Sequence, residues 1–418
     1  MIIDRAGPLL VRMEVEDVMS GSRPVGRRTL LAAGAAGAAL LVLPDAAGRA
    51  NAEGRPADGS EPVYVYVSSY GFGASGPDTV GLSVFRLDPK AGALTPVQQV
   101  SGSYPSWTTI DPARRFLYAC YSLRDETGPV GSVAAYAIDP RTGTLTLVNQ
   151  VSLGSSGPSQ TAVSPDGRHL VVANYYHAQY VVLPIGEDGE LGPVSGVLTN
   201  TGSGPHQRQD APHPHAVVFD PNRRFIGAAD LGNDKVQILR LVGGGLELVS
   251  EVSVTPGMGP RHVAFSHDSR TLYANGELDG TITAFAYDAE TGTIGRLLQT
   301  VSTEPASYTG ASSGAEIALH PSGRFLYASN RGSQTVAGYR IDRTTGKLSL
   351  INFATQGVNG PTNFAIDPTG RWLYVNSNRG NSIVQFDINA RTGELTPSGR
   401  ATPLSGPNVM VFRTPDCR

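Results

Sequence analysis

The residues best equipped for chemistry lie between positions 213 and 331: His213, His215, Arg261, His262, Glu277, Glu316, Asn330 and Arg331. An imidazole titrates near neutral pH and can take a proton from water. A carboxylate can do the same if its surroundings place its pKa usefully. Arginines meet fixed anions, or the charge that develops on an oxygen during reaction. No CxxC, HExxH or P-loop pattern occurs, so the sequence makes no case for zinc, a nucleotide or another cofactor. The set forms no contiguous motif, and only a repeated scaffold would bring it to one place.

The clearest copy of such a scaffold is residues 314–348. Ile317-Ala318-Leu319 is a short apolar run, turned at Pro321-Ser322-Gly323. Phe325-Leu326-Tyr327-Ala328 is a second strand, followed by the polar loop Ser329-Asn330-Arg331-Gly332-Ser333. Thr335 to Ile341 is a third, and the turn Thr344-Thr345-Gly346 leads into a fourth. Short runs of Val, Ile and Tyr between Gly, Pro, Asn and Ser clusters are the hairpin signal. Four antiparallel strands with three tight turns make one propeller blade.

The outer turn recurs seven times, as DPKAGAL (88–94), DPRTGTL (139–145), GEDGEL (186–191), GGGL (243–246), DAETGTI (288–294), DRTTGKL (342–348) and NARTGEL (389–395). The first-to-second strand hairpin recurs only six times, from IDPARRFLYA (110–119) to IDPTGRWLYV (366–375). Val63 to Val67 is a second strand with no first strand before it. Pro407 to Phe412 reads like the missing one. The expected fold is therefore an all-β, seven-bladed propeller over residues 63–415, closed by the C-terminal strand in the N-terminal blade. Closure removes the free edges that invite aggregation.

Residues 1–52 read as a leader and 53–62 as a linker. Arg27-Arg28 precedes an uncharged run from Leu30 to Leu43, and Ala50-Asn51-Ala52 offers a cleavage site. This pattern predicts export by the twin-arginine route, with an uncut membrane tether as the alternative. The run is short for a membrane span. Gly 50 and Pro 30 suit a chain that turns often, and a formal net charge of -3 without basic runs argues against nucleic acid as a partner. Of the two cysteines, Cys120 falls in a predicted strand as a small buried hydrophobe and Cys417 in the tail. A monomer is expected.

In a propeller the first strands line the central channel, so their starts and the exits of the second strands should meet at one mouth. That nominates Ser106-Trp107, Ser159-Gln160, His213 to His215, Arg261-His262, Glu316, Thr362-Asn363 and Asn408. From the exits come Tyr121, Asn174-Tyr175, Asp230, Glu277, Asn330-Arg331 and Asn378-Arg379.

PHPHAVVFDP (212–221), GPRHVAFSHDSRTLYANGEL (259–278) and SGAEIALHPSGRFLYASNRG (313–332) resemble the lactonase family of seven-bladed propellers. That family includes bacterial propeller-type 6-phosphogluconolactonases and fungal carboxy-muconate cyclases. The resemblance runs from about Val63 to Phe412. It implies a small-molecule lactone substrate and a site of one His, two Arg and one Glu, matched by His215, Arg261, Arg331 and Glu277. The family usually has Asn-Glu-Leu where this chain has Gly276-Glu277-Leu278, so a side chain able to hydrogen-bond substrate is expected to be missing.

Opening a lactone needs a base for water and positive charge for the oxyanion. His215 or Glu277 is the candidate base; Arg261 and Arg331 are candidates for the oxyanion or for a substrate anion. No metal is required by this scheme. His213, His262, Glu316 and Asn330 complete the expected set as substrate-binding residues. Each has a plainer reading: His213 as a strand cap between prolines, His262 as a core histidine, Glu316 as an arginine partner, Arg331 as a surface ion pair. Glu316 is expected to occupy the same kind of place as His215. His206 to Asp210 reads as a rim loop or lid. A non-catalytic binding propeller and a lactone-closing cyclase are the alternatives to a hydrolase.

Overall fold

A computed structural model describes residues 62–69, 81–102, 104–125 and 128–414. The expected leader at 1–52, almost all of the linker, and Cys417 lie outside the described residues.

Among the described residues, twenty-eight strands, β1 to β28 in chain order, form seven four-stranded antiparallel sheets. The inner strands are β4 (Pro105–Ile110), β8 (Pro158–Val163), β12 (Pro214–Phe219), β16 (Pro260–Phe265), β20 (Gly314–Leu319), β24 (Pro361–Ile366) and β28 (Pro407–Arg413). Each touches the next, and β28 touches β4, so they close a ring. The first sheet is ordered β28-β1-β2-β3, with β1 at Tyr64–Ser69, β2 at Gly81–Leu87 and β3 at Leu94–Ser101. Tyr64 pairs with Arg413 and Ser68 with Val409, which is the closure the missing first strand predicts.

The repeated motifs act locally. In the outer turns Asp88 Oδ1 accepts from the Lys90 N–H at 2.7 Å, and Asp139, Asp288, Asp342 and Asn389 do the same two residues on. The glycine that follows sits at positive φ, for example 69° at Gly92 and 71° at Gly143. An Asx turn and a left-handed glycine are what those residue types supply.

Blades are fastened to one another by the tyrosine of the second strand. Tyr66, Tyr118, Tyr273, Tyr327 and Tyr374 donate to the carbonyls of Gly143, Gly189, Gly346, Gly393 and Gly92, at 2.7–3.2 Å. The last of these joins the seventh sheet to the first. Each contributes about 1 kcal/mol net. The equivalent positions in the other two sheets are Val171 and Gly227. A Cβ on Gly227 would fall 2.7 Å from the ring of Phe265, so a side chain from the next blade fills the place instead. Cys120 is fully buried in an apolar cluster, and burial pushes its thiol pKa up.

Candidate active site at the bulged end of the channel

A register shift sets the chemistry. Pro105 pairs with Tyr121 but Trp107 with Cys120, which leaves Ser106 as an extra residue. The same shift isolates Ser159, His215, Arg261, Thr362 and Asn408, and β20 carries one between Gly314 and Ile317. A bulge re-aims the side chain it carries. Here it recurs at the same end of every inner strand.

Most of these side chains are spent on structure. Ser106 Oγ donates to the Pro158 carbonyl at 2.6 Å, and Ser159 Oγ to that of Pro214 at 3.1 Å. Arg261 Nη1 donates to the Ala315 carbonyl at 2.8 Å, Thr362 Oγ1 to that of Asn408 at 3.1 Å, and Asn408 Nδ2 to that of Ser106 at 2.9 Å. These bonds form a girdle from strand to strand. The girdle skips two positions, His215 and Ala315. Alanine has nothing to give. His215 is the polar bulge residue held out of the girdle, and its Nδ1 is shielded from solvent with no hydrogen-bond partner.

Beside it, Glu277 gathers three arginines. Arg208 Nη1 and Arg331 Nη2 lie 2.6 and 2.9 Å from Glu277 Oε1, and Arg261 Nε lies 3.0 Å from Oε2. The Arg261 contact is an ion pair whose angle does not make a hydrogen bond. Burial alone would raise the Glu277 pKa, but the three guanidinium charges hold it well below the carboxylate range. Three cations against Glu277 and the ionised Glu316 behind Arg261 leave positive charge in excess. Burial first, and then the charge of Arg331, lowers the Arg261 pKa to about 10, so it stays protonated at neutral pH. Burial, and then the charges of Arg261 and His262, push the His215 pKa well below its ordinary value. His215 is therefore neutral at pH 7, and Glu277 is an ionised and very weak base.

One residue further along each strand lies a second, deeper tier. His262 is 1% exposed and has both ring nitrogens engaged. Arg261 Nη1 donates to its Nε2 at 3.0 Å, and its Nδ1 lies 3.0 Å from Glu316 Oε1. Asn363 Nδ2 donates to Glu316 Oε2 at 2.5 Å. The chain Asn363–Glu316–His262 thus holds Arg261 from below.

The structure brings His215, Arg261, Glu277 and Arg331 together at the mouth. It changes five other expectations. Glu316 is not level with His215: it stands one position deeper, level with His262 and Asn363. His262 has no free nitrogen for a ligand and serves Arg261 instead. Asn330 is fully buried with its amide bound to Thr335 of its own blade and to Thr303 just after the last strand of the preceding blade, so it does not face the mouth. Position 276 follows the same rule. A Cβ there would land 2.1 Å from Asp279 Oδ1, so the side chain absent at Gly276 belongs to the blade interior and not to the channel. His213 is more than a cap. Its ring stacks on Tyr175 with centroids 4.3 Å apart, its Nδ1 lies 3.1 Å from the Tyr175 carbonyl, and its backbone N–H donates to Asp230.

Arg208 is the site residue that the repeat does not reveal. It lies in the connection before β12, where no other blade has a copy to align. The only signal is the polar insertion His206 to Asp210 itself. Gln209, fully buried, pins this segment by donating to the Leu231 carbonyl and to Asp234 Oδ1 at 2.8 and 2.7 Å. The segment is a strap tied to its blade and not a free lid.

A channel of this build with a charged, bulged mouth defines a propeller enzyme scaffold. The family described as lactonase, 7-bladed beta-propeller, matches residues 64–412, and the chain belongs to that family. It is 32% identical over 297 residues to the 6-phosphogluconolactonase of Bacillus subtilis, covering 71% of this chain and 82% of that protein. It is 31% identical over 284 residues to the 6-phosphogluconolactonase of Formosa agariphila, covering 65% and 78%. The periplasmic gluconolactonase of Pseudomonas aeruginosa superposes with a TM-score of 0.79 at 30% identity, covering 85% of this chain and all of that one.

Proposed function

We propose that this protein hydrolyses the lactone of a sugar acid or a related carboxylate, at the cluster of His215, Arg261, Glu277 and Arg331. The observation that carries the reading is the one polar bulge residue left out of the girdle: His215, neutral and with its Nδ1 unpartnered, beside a mouth with excess positive charge. His215 takes a proton from water as the water oxygen bonds to the lactone carbonyl carbon. Arg261, held by His262 and the Ala315 carbonyl, meets the negative charge on the carbonyl oxygen. The ring C–O bond then breaks, and the imidazolium returns its proton to the departing oxygen. Glu277 keeps the guanidinium groups spaced and aimed, and does not itself move protons. An anionic substrate reduces the positive field on His215, which raises its pKa and makes it a better base once the complex forms. The lactonase names of its relatives support the same reaction class.

A panel of lactones assayed by acid release tests the reading. Steady turnover of a sugar-acid lactone by the wild type, lost in Arg261→Ala, is the expected result. A protein that binds such lactones without opening any of them is a binding propeller, and the proposal falls.

We further propose that the protein works outside the cytoplasm. The paired Arg27-Arg28 ahead of an apolar run supports this, as does the periplasmic setting named for the Pseudomonas relative. Cell fractionation of the wild type and of a double Arg27→Lys, Arg28→Lys variant checks it: the variant should stay inside, and equal export would point to another route.

A further inference from the structure

Arg208 is not needed where it stands for the fold alone. The strap that carries it is already tied: Gln209 binds Leu231 and Asp234, and the His206 N–H donates to Gln209 Oε1 at 3.0 Å. Asp234 in turn accepts from the N–H groups of Gly257 and Gly259 at 2.7 and 2.9 Å, so the neighbouring rim loop is fixed by the same carboxylate. Nor is Arg208 needed to neutralise Glu277, which Arg261 and Arg331 already outnumber. A third guanidinium on one carboxylate adds unbalanced charge. Such a cost is retained where an anion from outside completes the balance.

The three arginines differ in access. The Arg261 side chain is 12% exposed, that of Arg331 24% and that of Arg208 44%. Arg261 sits deepest, against the His262–Glu316 pair, and Arg208 is outermost. Arg208 and Arg331 share Glu277 Oε1, so an arriving oxyanion competes for both at once. Arg208 Nη2 also lies 3.3 Å from the Tyr175 hydroxyl, on the ring that stacks with His213. The outer rim therefore offers a planar multi-donor cation backed by an aromatic wall, which is the equipment for holding a carboxylate or phosphate.

Resting on the lactonase reading of the same site, we propose that Arg208 is a specificity-determining residue. It binds a fixed anionic substituent on the lactone, a phosphate or a carboxylate, and selects anionic lactones over neutral ones. Arg261 is left to the reacting carbonyl. Because Arg208 comes from the connection between blades and not from a bulge, substrate preference can change with that loop while the girdle stays intact.

The test compares wild type, Arg208→Gln and Arg208→Lys on a neutral aldonolactone and on its phosphorylated and carboxylated counterparts. The preference, taken as the ratio of kcat/KM for an anionic lactone to that for the neutral one, should fall about 10–100-fold in Arg208→Gln, chiefly through KM. Arg208→Lys should fall between the two, because it keeps charge without the fork. The phosphorylated and carboxylated arms show which oxyanion the site prefers. An unchanged ratio in Arg208→Gln overturns the proposal, as does an equal loss on all three lactones. Calorimetric titration with inorganic phosphate gives a readout free of turnover: its Kd should rise about tenfold or more in Arg208→Gln, and equal binding overturns the proposal. If the wild type opens no lactone at all, the hydrolase reading fails and the phosphate titration alone decides the role of Arg208.

Discussion

The two ends of the central channel are built from the same seven strands and have little else in common. The end where the inner strands begin is bulged, polar and charged. The far end is regular and apolar: a cavity of about 690 Å³ runs between residues such as Val218, Phe265, Ile317, Phe364 and Phe412 to the turn prolines Pro221, Pro321 and Pro368. Trp107, Gln160, Glu316 and Asn363 line its inner limit, so the deeper tier of the site is also its ceiling. The register shift marks the change. After the bulge the strands pair without further shifts, and their side chains go to packing between blades. Before it, one residue per strand is released from pairing and can be polar. The contrast teaches that a propeller confines chemistry to the strand starts by geometry, and that the residue type at the bulge then decides whether a blade contributes structure or reactivity.

The largest break in that contrast comes from Arg261→Ala. It removes a girdle bond, the contact with Glu277 and the proposed oxyanion partner together. Turnover should fall on the order of 10²–10³-fold, as for other oxyanion donors, with kcat carrying most of the loss. Steady-state kinetics on any lactone the wild type opens would measure this, and a pure KM effect would reassign Arg261 to ground-state binding.

Phe265→Ala strikes the opposite end of the same inner strand, β16. Its ring fills the space left by Gly227 and packs on Tyr287 at 4.8 Å. Denaturant unfolding should show a loss of about 3–5 kcal/mol. The kcat of the folded fraction should stay within about twofold, because a packing loss at this site removes no group that meets the transition state. A large loss of kcat with little change in stability would mean that the apolar end takes part in catalysis.

The sequence made some of this legible and hid the rest for physical reasons. Blade number and closure followed from turns with strict residue requirements, such as the Asp-to-Gly spacing at 88–92 and the unpaired strand at Val63 to Val67. The mouth could be named because first-strand starts share one end. Depth within the mouth could not be read, because it depends on a bulge that moves the register by one residue. That single shift separates His215 from Glu316, while Asn330 and position 276, at the ends of second strands, turn into the blade. Arg208 escaped because it lies in a connection that no other blade repeats, and a repeat argument is blind to what occurs once.

The proposed reaction turns on His215 as the neutral base, and the pH dependence of kcat/KM tests it most directly. Its pKa in the free protein is depressed, so the active, unprotonated form is full at neutral pH and is lost only as pH falls through that lowered value. Glu277 remains ionised over the same range, but His262, which accepts from Arg261, also has a lowered pKa, so the His215→Gln variant is what assigns the acid limb to His215. The wild type should show a plateau through neutral pH and an acid limb centred below the ordinary histidine value of about 6.5. In His215→Gln that limb should vanish, with turnover down about 10²–10⁴-fold. An unchanged profile in His215→Gln, or a wild-type limb centred at or above the ordinary histidine value, would contradict it.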